Sequence, residues 1–370
     1  MSIKTYKSKN DIVENFKNRN LIFDKDKLEY ALKNYNYFNC FNGIENILLE
    51  SNNPKKFDGV NLDDFLNIYK FDKKLSISIL EIIYSIEEKL KTSISNHVSS
   101  KYCSSLNDTM QYTNKNNFMN PKDNNPNSKT YCKYSENYPF KSYQYKKYYN
   151  EFDDFILFKP YFLTNLINHN DYINRYFYTS SKYTAPEGVA VYRDSENRKQ
   201  YNIAVPIRVA ILTVSFGQTI RFTHYLKDDT IKHVMNDFGL ELSKRNQFLN
   251  MLDFILLLRN SCAHNRLIYR FETPKNVYIN SLLIRTFDLN PKNTSRNMSS
   301  ILSLFDVLKI LSFFSDIKSL QNIFDDIFSK NKISMGDEKG SKINKIILDK
   351  IGCQDYETLL STLIGKNYYF

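Results

Sequence analysis

The chain has 370 residues, of which 42% are hydrophobic and only nine are glycine and nine are proline. This length and composition exclude a disulfide-stapled miniprotein, a collagen-like chain and a largely disordered protein. Lys and Arg outnumber Asp and Glu by 51 to 40, which gives a formal net charge of +11 and makes nucleic acid the first partner to consider. An AT-rich genome, which supplies abundant Lys, Asn, Ile and Tyr, is an equally good source of that charge.

The cysteines are odd in number and far apart, and none forms a C-x-x-C pair of the kind that begins a zinc site or a redox motif. They are Cys40, Cys103, Cys132, Cys262 and Cys353. No stretch approaches the roughly 20 apolar residues that cross a bilayer, and no apolar region follows the basic residues of the N-terminus. We therefore predict a cytoplasmic protein with reduced thiols, no metal or other cofactor, and no membrane contact.

The first 60 residues predict a small helical segment. Apolar residues between positions 11 and 49 have the spacing of two short amphipathic helices, and Asp24 or Asp26 is a candidate N-cap for the second, ahead of Leu28. Paired short helices also occur in DNA-binding proteins, so a DNA-binding regulator is one alternative function. The loose spacing favours instead a helical lid on the next domain.

The strongest periodic segment predicts a long core helix over residues 71–102. Its apolar positions recur every three or four residues, at Leu75, Ile79, Ile82, Ile83, Ile86, Leu90, Ile94 and Val98. The opposite face carries Glu81, Glu87, Glu88 and Lys91, of which Glu87 and Lys91 have the favourable i, i+4 order. We expect these charges to be solvated.

Residues 104–149 lose this apolar density and are rich in Asn, Ser, Lys, Tyr and Pro, which predicts a polar insertion or a long surface loop. Its second half interleaves lysines with tyrosines. Such a surface can neutralise phosphates and stack unpaired bases. The candidate RNA contacts are Lys133, Lys141, Lys146, Lys147, Tyr143 and Tyr145.

The rest of the chain predicts mostly helices. They cover residues 151–178, 206–226, 244–264, 299–328 and 342–364, with a polar breaker, SMGDEKGS, before the last. A hairpin of 189–192 with 201–205 and a second hairpin or extended segment at 267–285 give minor β content. Gly217, inside the helix that Pro206 opens, would permit close packing of a neighbouring helix. We predict an all-α protein with minor β hairpins, divided into 1–60, 61–275 and 276–370.

A polar cluster ends the apolar helix 244–264, at Arg259, Asn260, His264 and Arg266. Charges directly after a buried apolar run are costly without partners. Because each helical residue advances about 100°, Asn260 and His264 share a face, whereas Arg259 lies about 140° from His264 around the axis. The two converge more easily if the helix ends near His264, or if a second copy of the motif meets the first across a two-fold axis.

This cluster has the side chains needed to cleave RNA through its own 2′-hydroxyl. An imidazole titrates close to neutral pH and can transfer the protons, while an arginine can hold the phosphate. The chemistry needs no metal, and the sequence shows no clustered carboxylates of the kind a two-metal nuclease uses. The structural alternative is that Arg259, Asn260 and His264 cap a helix C-terminus, where cations and polar side chains are favoured. We interpret Cys262, between them, as a packing residue.

The stretch LLLRNSCAHNRLIY, residues 256–269, resembles the R-x4-H signature of HEPN ribonucleases, in the form found in the abortive-infection Abi-D/Abi-F family of bacterial anti-phage proteins. Three further segments resemble that family in the same order: NYNYFNCF, FDKKLSISILEIIYSIEEKLKTSI and PIRVAILTVSFG. The resemblance covers about residues 10–275. The chain departs from the family pattern at Lys74, at Arg208 where tryptophan is common, and at Ile268 and Tyr269.

The resemblance implies a HEPN helical bundle, a homodimer that brings two R-x4-H motifs together, and a metal-independent endoribonuclease acting on RNA in antiviral defence. It places Arg259 and His264 in the catalytic positions and Asn260 in the supporting one, with Arg266 as a further RNA contact. It also relates the chain to the ribonuclease domains of type VI CRISPR effectors. The alternative is a protein that holds a structured noncoding RNA in the same basic cleft without cutting it.

Overall fold

A computed structural model describes residues 8–123, 125–131, 148–275, 277–294 and 299–365. The fold is all-α with minor β hairpins, as the sequence predicts. None of the described helices is long and apolar enough to cross a membrane.

Helices account for most of the described chain. They are α1 (Lys9–Asn18), α2 (Lys25–Asn34), α3 (Glu45–Leu48), α4 (Leu62–Tyr102), α5 (Phe162–Asn168), α6 (Ile207–Ala210), α7 (Phe216–Tyr225), α8 (Asp228–Asp237), α9 (Arg245–Ala263), α10 (Ser281–Thr286), α11 (Leu304–Phe314), α12 (Gln321–Met335), α13 (Asp337–Ile351) and α14 (Tyr356–Leu363). A π-helical turn, Phe38–Asn42, and single 3₁₀ turns join several of them.

The described strands form antiparallel pairs of two or three residues each. β1 (Ser51–Asn52) pairs with β2 (Lys55–Lys56), β3 (Tyr178–Thr179) with β6 (Ile203–Ala204), β4 (Tyr192–Arg193) with β5 (Lys199–Gln200), and β7 (Lys292–Thr294) with β8 (Ser299–Ile301). The turn of the predicted hairpin is therefore confirmed between β4 and β5. The second predicted strand, 201–205, does not pair with 189–192. Its residues Ile203–Ala204 form β6, which pairs with β3.

The described chain divides into two compact units, each made of segments that are distant in sequence. The first contains residues 8–83, 257–273 and 302–365, and the second contains the described residues of 84–256 and 274–301. Helices α4 and α9 each contribute residues to both units. The polar cluster at the end of α9 belongs to the first unit.

Helix α4 confirms the predicted apolar stripe but begins nine residues earlier, at Leu62 rather than Phe71. Asn61 and Asp64 cap it reciprocally: the Asn61 backbone N–H donates to Asp64 Oδ2 (2.8 Å) and the Asp64 backbone N–H donates to Asn61 Oδ1 (3.1 Å). On its polar face Glu87 and Lys91 pair at 2.7 Å, yet each side chain is only 13% exposed. The prediction of a fully solvated face is wrong for this pair.

Local capping and proline break two of the predicted helices. In 152–178 only α5 is an α-helix, and it cannot begin earlier because Lys159 before Pro160 is extended. In 206–226 Val214 and Ser215 are extended, and Ser215 forms a capping box with Gln218 that starts α7 afresh.

Three further predictions are wrong in part. The segment 267–285 contains a 3₁₀ turn and α10 rather than a hairpin, since Asn280 caps that helix through a hydrogen bond from the Leu282 N–H. The predicted break SMGDEKGS is a single residue in the structure: Gly336, with a positive φ of 84°, separates α12 from α13, which starts at the next residue. The predicted surface loop at 104–149 is buried in its first part, where Met110, Tyr112 and Phe118 are fully inaccessible.

Candidate active site

Helix α9 carries the polar cluster at its C-terminal end. The helix runs from Arg245 to Ala263, so the predicted range 244–264 is confirmed to within one residue at each end. The side chains of Phe254, Ile255 and Leu258 are fully buried. This burial fixes the turn that directly precedes Arg259 and Asn260, which lie within the last five residues of the helix.

The helix ends in a Schellman motif. The Arg266 N–H donates to the Ser261 carbonyl and the Asn265 N–H donates to the Cys262 carbonyl, both at 3.2 Å. Asn265 supplies the left-handed residue that this motif requires, with φ of 59°. His264 is therefore the C-cap residue, at the point where the backbone leaves the helix.

Helix α4 holds this helix end through two side chains in the first unit. Ser76 Oγ lies 3.4 Å from the Cys262 carbonyl oxygen and donates to it. Asp72 Oδ1 accepts the Tyr269 backbone N–H at 2.8 Å, so it anchors the 3₁₀ turn that follows the cluster. Burial raises the pKa of the Asp72 carboxyl to about 7, although the N–H groups of Tyr269 and Ile268 act in the opposite direction.

The π-helical turn holds the other side of the same loop. Asn39 Nδ2 donates to the Asn265 carbonyl at 2.8 Å, and Tyr269 Oη donates to the Gly43 carbonyl at 2.7 Å. Gly43 is also in close contact with Leu267, because a Cβ at position 43 would lie 2.2 Å from Leu267 Cδ1. The loop after His264 is thus fixed from two directions.

The side chains of the cluster differ in exposure. Arg259 and Asn260 are half-buried, whereas His264 and Arg266 are exposed. Arg259 Nη1 lies 3.4 Å from Asn260 Oδ1, and its buried Nε has no hydrogen-bond acceptor among the described residues. Within one chain, no hydrogen bond joins Arg259 to His264.

Capping does not account for these side chains. The carbonyls of Asn260, Ser261 and Cys262 accept the backbone N–H groups of His264, Arg266 and Asn265. Among the described residues, no side-chain hydrogen bond joins His264 or Asn260 to a carbonyl at the helix end. The backbone and Ser76 cap the helix instead.

The remaining candidates fall into two groups. The six Lys and Tyr residues expected to contact RNA in the second half of the insertion lie outside the described residues. Cys262 is buried, and burial raises the pKa of its thiol to about 12, which agrees with the interpretation as a packing residue. Of the other histidines, His97 pairs with Asp237 at 2.9 Å and His224 is buried.

Sequence reasoning missed three residues that position the cluster: Asp72, Ser76 and Asn39. A signal existed for Asp72, because it lies three and seven residues before Leu75 and Ile79 and so falls on the apolar stripe of α4. A carboxylate there needs a buried partner. Asn39 lies 226 positions from Asn265 along the chain, and no local pattern pairs them.

Comparison with protein families matches residues 30–270 to the family described as Abi-like protein. Neither the curated proteins nor the solved structures give a significant match. The matched range contains α4, the π-helical turn and the whole polar cluster at the end of α9. The chain therefore belongs to the Abi-like protein family.

Proposed function

We propose that this protein is a metal-independent endoribonuclease of the HEPN type that acts in abortive-infection defence against phage. Family membership supports the defence role. The observation that carries the catalytic role is the exposed end of α9, where the backbone satisfies the helix carbonyls and leaves the side chains of Asn260 and His264 with no capping task. The resemblance to Abi-D/Abi-F proteins points the same way.

His264 is the proposed proton-transfer residue. Its imidazole is exposed, and the backbone that carries it is fixed by the Schellman motif and by the hydrogen bond from Asn39 to the Asn265 carbonyl. It removes the proton of a ribose 2′-hydroxyl, whose oxygen then attacks the adjacent phosphorus. The new 2′-O–P bond replaces the P–O5′ bond, and the departing oxygen takes a proton, which leaves a 2′,3′-cyclic phosphate and a 5′-hydroxyl.

Arg259 and Arg266 are the proposed phosphate ligands. Arg259 has a buried Nε–H without an acceptor, and such a donor gains when an anionic oxygen arrives. Arg266 is exposed two residues beyond His264. Asn260 orients the Arg259 guanidinium through its side-chain oxygen.

A homodimer would complete the site. Arg259 and His264 are separated by about 140° around the axis of α9, and no hydrogen bond joins them within the chain. Two copies of the helix end, related by a two-fold axis, would place the arginine of one protomer beside the histidine of its partner.

A phage-protection assay with matched variants tests the proposal. Cells expressing the wild-type protein, Arg259→Ala or His264→Ala are challenged with phage, and RNA that co-purifies with each protein is quantified. We expect both variants to lose protection while RNA still co-purifies with His264→Ala, since that change removes a proton-transfer group rather than a phosphate ligand.

The matched control is the double variant His169→Ala/Arg175→Ala, which removes the same side-chain types at exposed positions in the second unit. It should protect as well as the wild type. Full protection by His264→Ala would contradict the enzymatic proposal. Protection that survives while RNA stays bound would favour the RNA-holding alternative.

A further inference from the structure

Phe38 is a large exposed apolar side chain on the turn that holds the loop after His264. It opens the π-helical turn and is 56% exposed, whereas Cys40 and Phe41 in the same turn are buried. A single exposed phenylalanine is unremarkable on a protein surface. Phe38 differs because hydrogen bonds fix the turn that carries it.

The turn that carries Phe38 is bound to the loop that carries His264. The next residue, Asn39, donates to the carbonyl of Asn265, which directly follows His264. At the other end of the turn, Gly43 accepts from Tyr269 and packs on Leu267. The turn that carries Phe38 and the loop that carries His264 are therefore fixed to each other within the first unit.

A guanidinium lies over the Phe38 ring. The central carbon of the Arg270 guanidinium is 5.8 Å from the ring centroid, within the range of a cation–π contact. Arg270 is exposed, and no salt bridge joins it or Arg266 to a described carboxylate. An aromatic ring and a planar cation in contact are a pair of surfaces on which unpaired bases stack.

We propose that Phe38 and Arg270 form a stacking platform for an unpaired base of single-stranded RNA, next to the phosphate that Arg259 and Arg266 bind. The inference rests on the proposed function, because it adds a base-binding subsite to that same site. A base inside a duplex is already stacked and paired, so the platform selects single-stranded RNA over duplex RNA. The positive charge of Arg270 attracts the phosphates of single-stranded and duplex RNA alike.

The test measures RNA binding in a His264→Ala background, so that cleavage does not interfere. Fluorescence anisotropy gives the Kd of a labelled single-stranded oligonucleotide and of the matching duplex. We expect Phe38→Ala to weaken single-strand binding by about tenfold or more, the usual effect of one lost base–aromatic stack. Duplex binding should change little, and Phe38→Trp should restore the single-strand affinity.

Oligonucleotides with one abasic position make the test specific for stacking. One abasic position should weaken binding to the His264→Ala protein about as much as Phe38→Ala does, and should cost nothing further in the Phe38→Ala protein. The matched control is Tyr201→Ala, an aromatic residue 47% exposed in the second unit, which should leave all affinities unchanged.

The outcomes separate this inference from the proposed function. If Phe38→Ala binds single strands as tightly as its parent, the platform is wrong, while cleavage by the otherwise wild-type protein would still support the nuclease. If Phe38→Ala loses binding but the wild type never cleaves, the platform stands without the nuclease. If the parent protein binds no RNA, both are overturned.

Discussion

At the scale of single residues, Asn265 decides where the helix that presents His264 stops. Its φ of 59° places it in the left-handed region, which asparagine tolerates and a β-branched residue does not. We expect Asn265→Val to lower the free energy of unfolding by about 1–2 kcal/mol and to reduce RNA cleavage, because His264 is the preceding residue. Asn265→Gly should preserve both. Urea unfolding and a cleavage assay measure the two effects.

Asn197 provides the matched control, since it has a φ of 61° in the turn between β4 and β5 of the second unit. Asn197→Val should cost similar stability without changing cleavage. Equal cleavage by Asn265→Val and the wild type would show that the Schellman motif does not position His264 for the proposed reaction.

Asp72 makes stability depend on pH in a direction unusual for a carboxylate. Burial raises its pKa from the ordinary value of 3.8 to about 7, so the folded protein keeps a proton that the unfolded chain has released. Between pH 4 and 7 the folded state binds more protons, and the free energy of unfolding therefore falls as pH rises, by up to about 1.4 kcal/mol per pH unit from this group.

The variant Asp72→Asn removes this contribution. Urea unfolding of the two proteins at pH 4, 5, 6 and 7 should give a shallower decline for Asp72→Asn than for the wild type. Parallel stability curves would mean that Asp72 is ionised in the folded protein throughout this range.

At the scale of elements, two helical glycines have opposite roles. A Cβ at Gly340 in α13 would lie 2.5 Å from the Lys332 Cα in α12, so the two helix backbones are in contact there. A Cβ at Gly217 in α7 would lie 3.6 Å from Leu256, an ordinary contact. The expectation that Gly217 permits close helix packing is therefore wrong, and the close approach occurs at Gly340.

These distances predict opposite effects of the same substitution. Gly340→Ala should lower the free energy of unfolding by about 1–3 kcal/mol, because the backbones must separate. Gly217→Ala should leave it unchanged or raise it by up to about 1 kcal/mol through helix propensity. Thermal and urea unfolding compare the pair, and a loss of stability in Gly217→Ala equal to that in Gly340→Ala would contradict this assignment.

The observed helix boundaries show which sequence signals were sufficient to predict a helix and its ends. The apolar periods of α4 and α9 predicted both helices, because burial along one face leaves a regular record in the sequence. The early start of α4 at Leu62 was missed although Asn61 and Asp64 have capping-box spacing. The break before α7 was also missed. The apolar pattern continues through this break, although Ser215 and Gln218 have capping-box spacing.

At the scale of the whole molecule, the sequence predicted the helical class and singled out the candidate residues, but it did not show which contacts hold them in place. Arg259 and His264 stand out in the sequence because they come after the buried apolar run of α9, where charged residues are unusual. Asp72 lies 197 positions from Tyr269, with which it bonds, and such a contact follows from the fold rather than from any local pattern. The link between the Phe38 turn and the His264 loop is likewise a long-range contact.

The central claim, that the exposed end of α9 cleaves RNA without a metal ion, is tested most directly by the products of the reaction. Purified wild-type protein and the Arg259→Ala/His264→Ala double variant are incubated with 5′-labelled RNA in EDTA, and the fragment ends are identified. We expect only the wild type to cleave, leaving 2′,3′-cyclic phosphate ends. Cleavage by both proteins, or fragments ending in a 3′-hydroxyl, would contradict the account.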